Sequence, residues 1–296
     1  MHPFFELGFN LIDSTLRVST PLILAALGGL VSERSGVINI ALEGTLLVGA
    51  FAAAAVAITA NSAPIGAVGA IAAGVAFAAI YGYFVIEFEA DQIVAGVAMN
   101  LLAAGLTPSL CKLIFLSSTS TPSLPLGVRF QTLPILLPWL FVLLIWAWMR
   151  YTPSGLWVGF AGEHPEALDS AGVRVKRVRW MAVLLSGALA GLGGASLSVF
   201  LASSFSRNMS AGRGFMAIAA LIFGKWRPIQ AALACLLFGG AEALQILLQS
   251  VTVWEDSSAP LQFIQILPYL VTILVLAGFV GHSRAPRALG IPFKKE

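Results

Sequence analysis

Ser32-Glu33-Arg34-Ser35-Gly36-Val37-Ile38-Asn39-Ile40-Ala41-Leu42-Glu43-Gly44 is the stretch on which the reading of this chain turns. It sits where the apolar runs 16–32 and 37–60 meet, and it is too polar for a plain bilayer span. Asn39 and Glu43 are four apart and so share a helix face, while Gly36 and Gly44 loosen the backbone around them. A charge at the bilayer centre costs about 2.5–3.5 kcal/mol even on a lenient insertion scale, so ionisable residues at depth need an internal partner or a water path. A polar, glycine-punctuated start to an apolar segment is what a broken helix lining a cavity requires. A plainer reading leaves Glu33 and Arg34 in a surface salt bridge and Glu43 in an interhelical hydrogen bond.

The rest of the chain fits a membrane setting. Of 296 residues, 58% are hydrophobic and 10% charged, with mean hydropathy +0.90. Soluble domains carry about 25% charged residues, so a cytosolic enzyme, a secreted disulfide scaffold and a free-standing nucleic-acid binder are all excluded. Apolar segments near 16–32, 37–60, 64–86, 91–107, 132–150, 178–202, 227–249 and 262–281 have the length of lipid-embedded helices. A shorter one near 212–224 cannot span alone and reads as a half-helix. The expected fold is all-α, a polytopic membrane protein of about 8–10 spans forming one domain over 1–296. The opening Met-His-Pro-Phe-Phe-Glu lacks the basic start of a cleavable signal, so the first span is expected to stay as an anchor. Cys111 and Cys235 read as packing residues. Gly187 and Gly191 form a Gly-x-x-x-Gly pair, weak evidence in a helix this rich in Gly and Ala.

Charge sorting sets an expected orientation. If 150–179 is cytoplasmic and the segments alternate, the inner side receives Arg34, Arg150, Arg174, Lys176, Arg177, Arg179, Lys225, Arg227, Arg284, Arg287, Lys294 and Lys295. The outer side keeps Arg17, Lys112, Arg129, Arg207 and Arg213. Twelve against five, accounting for all 17 Lys+Arg, is the asymmetry of the positive-inside rule. The N-terminus is then outside, the C-terminus and the basic tail 282–296 are cytoplasmic, and 108–131 is an outer irregular loop, either a cap that docks a partner or a solvated linker.

Further polar residues interrupt the apolar segments. Glu242, Gln245 and Gln249 follow i, i+3, i+7 and make a stripe that must face protein or water. Gln92 and Asn100 read first as interhelical hydrogen-bonding groups. Gly212-Arg213-Gly214-Phe215 opens the half-helix. Together Asn39, Glu43, Asn100, Phe215, Glu242 and Gln245 are the candidate translocation path, with amide and carboxylate groups suited to a polyol or nucleoside.

Enzymatic chemistry finds no support. His2, His164 and His282 fall outside the spans, and neither Gly-x-Ser-x-Gly nor His-Glu-x-x-His occurs. Gly224-Lys225 is followed by Trp226, which does not make a phosphate-binding loop. No catalytic residue, metal site or cofactor is expected, and ATP, if used, is bound by another subunit.

Between segments five and six, 155–173 reads as a short acidic helix. Pro165 suits its first turn, Glu163 and Glu166 suit its positive N-terminal end, and Gly172 can stop it. The run Gly162-Glu163-His164-Pro165-Glu166-Ala167-Leu168-Asp169-Ser170-Ala171-Gly172-Val173 resembles the coupling-helix region of ABC importer permeases of the ribose, nucleoside and branched-chain amino acid type. The Glu33–Gly44 stretch and Gly212–Trp226 look like two further signatures of that family, in the same order. The chain is most similar to the shorter permease of nucleoside importers that work with a basic-membrane-lipoprotein-like binding protein.

The resemblance implies a fold like that of ribose and cobalamin importer permeases, with two inverted halves. It implies a cytoplasmic loop of about 151–178 in which Gly162, Glu163, Pro165, Glu166, Ala167, Ala171 and Gly172 couple to a cytoplasmic ATP-binding subunit. A second permease, different rather than identical, and an extracytoplasmic binding lipoprotein are the other implied protein partners. Membrane lipid surrounds the chain, and no nucleic acid is involved. The implied function is the translocation path of a bacterial inner-membrane importer for a nucleoside. A ribose-like sugar is the alternative substrate. An ion-coupled secondary transporter using Glu43 or Glu242 as a proton site, and a channel subunit, are readings from other classes.

Overall fold

The computed structural model describes residues 3–130, 133–250 and 284–293, with Ile266, Leu270 and Ile273. All but these last three residues of the expected segment 262–281 lie outside the described residues, as do Lys294 and Lys295. Ten α-helices are described: α1 (Pro3–Arg34), α2 (Leu42–Ala60), α3 (Ala63–Gly82), α4 (Gln92–Phe115), α5 (Leu133–Tyr151), α6 (Pro153–Glu163), α7 (Pro165–Ser170), α8 (Val175–Ala195), α9 (Arg213–Phe223) and α10 (Pro228–Ser250). Wider π-turns continue α3 through Tyr83–Glu87 and α8 through Ser196–Leu201. Six helices are long and apolar enough to cross a bilayer, and α5 with α6, bent by 78°, would make a seventh. The fold is an all-α polytopic membrane protein, with only an isolated bridge, Ser120 to Ser206, of β type among the described residues.

The centre of the fold is α8. It packs on α1, α2 and α3, and 83% of its apolar stretch is buried, against 22% for the peripheral α4. Small residues permit this. A Cβ on Gly49 of α2 would lie 2.5 Å from the Gly191 carbonyl oxygen, and one on Gly191 would meet the backbone of Ala70 and Gly74 on α3. With lipid as solvent, helices associate through close backbone approach rather than apolar burial alone. The Gly187/Gly191 pair, weak evidence by spacing alone, thus sits where α8 meets α2 and α3 at backbone contact.

Two expected boundaries move. The second segment does not begin at 37: residues 35–41 are non-helical and α2 starts at Leu42, so the polar stretch is the break itself. The outer irregular loop does not begin at 108: α4 continues through Pro108 to Phe115. The remaining stretch is not a solvated linker. Thr121 and Leu124 are buried, Arg207 N–H donates to the Thr119 carbonyl at 2.8 Å, and Leu124 N–H donates to that of Ser203 at 2.7 Å.

The geometry at the break of α1–α2 gathers one end of the molecule. The end of α1, the end of α3, the turn after α9, the starts of α4 and α8, and the tail 284–293 meet around residues 33–41, as the hydrogen bonds below show. From that end α2 runs toward Asn61, and α9 runs back from Glu43 toward Trp226. The two helices therefore start against each other and run in opposite senses, each preceded by a non-helical stretch, 35–41 and 202–212.

Candidate translocation and coupling site

The head of α9 is held by a residue of another helix. Gly212, at φ +83 in the left-handed region open chiefly to glycine, precedes the helix and offers no side chain to cap it. Glu43, in the first turn of α2, caps it instead: its Oε1 accepts from Gly212 N–H at 2.8 Å and its Oε2 from Gly214 N–H at 2.7 Å. The carboxylate thus lies at the positive ends of two helices, where a negative charge is stabilised. Any Cβ at Gly214 would come within 2.5 Å of Glu43 Cα. One residue away, Arg213 forms an ion pair with Glu242 of α10 and donates to the Met209 carbonyl at 3.1 Å. The Arg213 and Glu242 side chains are only 20% and 17% exposed, so each charge has its counterion at depth, as the cost of burial demands.

The break at 35–41 would leave backbone groups orphaned inside the protein. Side chains from α3 and α4 satisfy several of them. Gln92 accepts from Ile38 N–H at 2.7 Å, and the Tyr81 hydroxyl donates to the Ile38 carbonyl. Asn100 accepts from Gly44 N–H at 2.8 Å and donates to the Ile40 carbonyl at 3.0 Å. It replaces the cap that Ala41 cannot provide. Asn39 donates to Ser186 of α8 at 2.8 Å. Glu33 makes no salt bridge with Arg34, contrary to the plainer reading. It is buried and accepts from the Trp226 indole at 2.6 Å.

The loop 151–175 folds as two helices rather than one acidic helix. α6 ends at His164, and α7 begins at Pro165, whose missing N–H suits a first turn. Leu168 fastens α7 to Val158, Ala161, Val175 and Val178. Gly172 at φ +83 reverses the chain after it. Gly162 is buried against the end of α1, where a Cβ would come within 2.3 Å of the Arg34 carbonyl oxygen. The tail closes the assembly: Ala288 N–H donates to the Gly162 carbonyl at 2.8 Å, Gly290 N–H to that of Gly36 at 3.0 Å, and Arg179 to that of Ile291 at 2.9 Å. Coupling loop, helix break and α8 are therefore linked through the same ten-residue tail.

Residues 11–276 match the family described as branched-chain amino acid transport system / permease component. The chain belongs to this family of ABC transporter permeases. The guanosine ABC transporter permease protein NupQ of Bacillus subtilis is 37% identical over 96% of both chains. The nucleoside ABC transporter permease protein NupC of Lactococcus lactis is 34% identical, again over 96% of both. The putative glucose ABC transporter permease protein TsgC13 of Haloferax volcanii is 33% identical over 96% of this chain and 95% of that one. No solved structure matches. The chain is a permease subunit of an ABC importer, a multi-pass inner-membrane transport component rather than an enzyme. Its family implies an ATP-binding subunit and a substrate-binding protein as partners.

The permease brings some of the sequence-selected residues together and separates others. Glu43 and Glu242 meet at the head of α9 through its backbone and Arg213. Asn39 and Asn100 flank the break, each already hydrogen-bonded. Phe215 is half exposed on α9, and Gln245 is half-buried one turn beyond Glu242. In the loop, Glu166, Ala167, Ala171 and Gly172 are exposed, Glu163 and Pro165 half-buried, and Gly162 buried. Arg213, counted among the outer-side charges by alternation, is paired with Glu242 of α10 and only 20% exposed. Sequence reasoning missed Tyr81, Ser186, Arg179 and Trp226. Arg179 had only its basic neighbours as a signal, Trp226 only its place at the end of the Gly212–Trp226 signature, and Tyr81 and Ser186 had none.

Proposed function

We propose that this permease imports a nucleoside, and that the solute passes the junction where Glu43 of α2 holds the head of α9. That junction carries the reading: two discontinuous helices abut at one carboxylate with an ion pair beside it, the arrangement in which half-helix ends and polar groups reach the interior of transporters. Glu43, Glu242, Gln245 and Phe215 are the residues placed to shape the path, with Asn39 and Asn100 fixing the break that forms its floor. The near full-length likeness to NupQ and NupC supports a nucleoside. The likeness to TsgC13 supports a sugar as the second reading.

The end carrying Arg34, Arg150, Arg174, Lys176, Arg177 and Arg179 is cytoplasmic by the positive-inside rule, which puts the C-terminal tail inside. The ATP-binding subunit docks on Glu163, Pro165, Glu166, Ala167, Ala171 and Gly172, with buried Gly162 keeping α6 close to α1. Moving α7 then moves α8, to which it is packed, and through the tail it pulls on the break, switching which side is open. Two different permeases pair around the path, as the resemblance to nucleoside importers implies, and an extracytoplasmic lipoprotein delivers the solute.

The test is uptake into proteoliposomes holding the assembled importer, with labelled guanosine, uridine, ribose and glucose in parallel. ATP-dependent nucleoside uptake is the expected result. Sugar uptake alone would replace the substrate, and ion-gradient-driven uptake by this chain without an ATPase would overturn the mechanism.

A further inference from the structure

At the Arg34 end, beside the coupling loop but separate from α7, lies an open cavity of about 490 Å³. Five cationic side chains line it: Arg34, Arg150, Lys225, Arg227 and Arg284. None of the described residues lining it is acidic, and none of the five forms an ion pair among the described residues. Glu163 at the end of α6 offsets part of the Arg34 charge, but five cations around one concavity still repel one another, and an anion between them relieves that repulsion.

The cavity is built rather than incidental. It is floored by Trp226, which is 6% exposed and anchored by the hydrogen bond to Glu33. Lys225 and Trp226 both adopt left-handed backbone, φ 51 and 53, a conformation that costs energy in any non-glycine residue. That turn sets Lys225 and Arg227 on the rim. Opposite, Arg150 lies over the rings of Trp146 and Tyr151 at 5.7 and 5.8 Å. Arginine beside tryptophan and tyrosine is the composition of the membrane–water interface.

The neighbouring surface shows what the anion is attached to. Running from the cavity along the spans, α5 exposes Leu144, Leu140 and Leu136, and α10 exposes Ile229, Leu233 and Leu237. These are i, i+4, i+8 ridges that offer acyl chains a seat below a headgroup.

We propose that this cavity binds the phosphate headgroup of an anionic phospholipid, with its acyl chains along α5 and α10. Basic pockets between transmembrane helices hold such headgroups by charge, at about a fivefold gain in affinity per Lys or Arg. A bound lipid would bridge α1, α5, the α9–α10 turn and the tail, and so stiffen the end of the permease that the coupling loop moves.

The experiment measures thermal unfolding of the full-length permease in neutral detergent while phosphatidylglycerol, cardiolipin, phosphatidylcholine or free inorganic phosphate is added. The comparison is the triple variant Arg150→Gln, Lys225→Gln, Arg227→Gln. Anionic lipid is expected to raise the wild-type midpoint by at least about 3 °C, with phosphatidylcholine ineffective and the variant about a hundredfold weaker in lipid titre. Equal shifts in variant and wild type would overturn the proposal. So would stabilisation by inorganic phosphate at the same concentrations as lipid, which would make the ligand a soluble anion. Loss of ATP-binding-subunit association by the variant, with no lipid effect on the wild type, would assign the cavity to protein docking instead. Should the triple variant not fold, Arg150→Gln alone, at an exposed helix end, is expected to show about a fivefold weaker response.

Discussion

Replacing Glu43 by glutamine tests the junction directly. The carboxylate accepts from Gly212 at 2.8 Å and Gly214 at 2.7 Å, and hydrogen bonds to a charged group contribute about 1.5–3 kcal/mol each. Glutamine keeps one oxygen but turns an NH2 toward the other glycine N–H, so one bond is lost, a donor faces a donor, and the helix end loses its charge. The sum is about 3 kcal/mol. For a chain of 296 residues that corresponds to about 5 °C in the unfolding midpoint. Glu43→Asp keeps the charge but, one methylene shorter, cannot reach both glycines, so it should lose stability to a similar degree. Thermal unfolding of the purified variants, with uptake in the assembled importer, reads both effects. A Glu43→Gln midpoint within 1 °C of wild type would refute the clamp. Full uptake in Glu43→Asp with none in Glu43→Gln would show that the charge acts on the solute or a proton rather than on α9.

Charge reversal of Glu163 and Glu166 together should leave the permease folded but reduce transport at least about tenfold, equivalent to about 1.4 kcal/mol in coupling; unchanged uptake with normal ATPase association would remove them from the docking surface. Asn100→Leu deprives Gly44 N–H and the Ile40 carbonyl of their partners and should lower stability by about 2–4 kcal/mol, seen as a lower unfolding midpoint. Gly191→Val drives a branched side chain into the Ala70 and Gly74 backbone, and detergent-extracted protein should be aggregated or absent on size-exclusion chromatography.

Spans, the half-helix at 213–223 and the turn at Pro165 were legible because each depends on local composition: apolar length, glycine before a short run, proline at a first turn. The break after Arg34 was visible as polarity in an apolar setting, though not its extent. What lay beyond reach was partnership. Glu43 is 169 residues from Gly212 and Glu33 is 193 from Trp226, and no spacing rule links positions so far apart. The same holds for Asn100, which as an isolated amide read correctly as glue between helices while the backbone it serves stayed unnamed. Gln92 plays the same part at Ile38. Arg213 was counted with the outer-side charges, and its pairing with Glu242, 29 residues along the chain, had no spacing signal either.

The tail from Arg284 to Phe293 has a consequence for biogenesis. It supplies the backbone donors that meet the carbonyls of Gly36 and Gly162, yet it leaves the ribosome some 250 residues after Gly36. N-terminal segments emerge and fold first, so the broken start of α2 spends most of synthesis with a carbonyl unmet. The first discontinuity and the coupling elbow can be locked together only once residues 288–290 have been made. A chain broken off before Ala288 would leave the Gly36 and Gly162 carbonyls without these two donors.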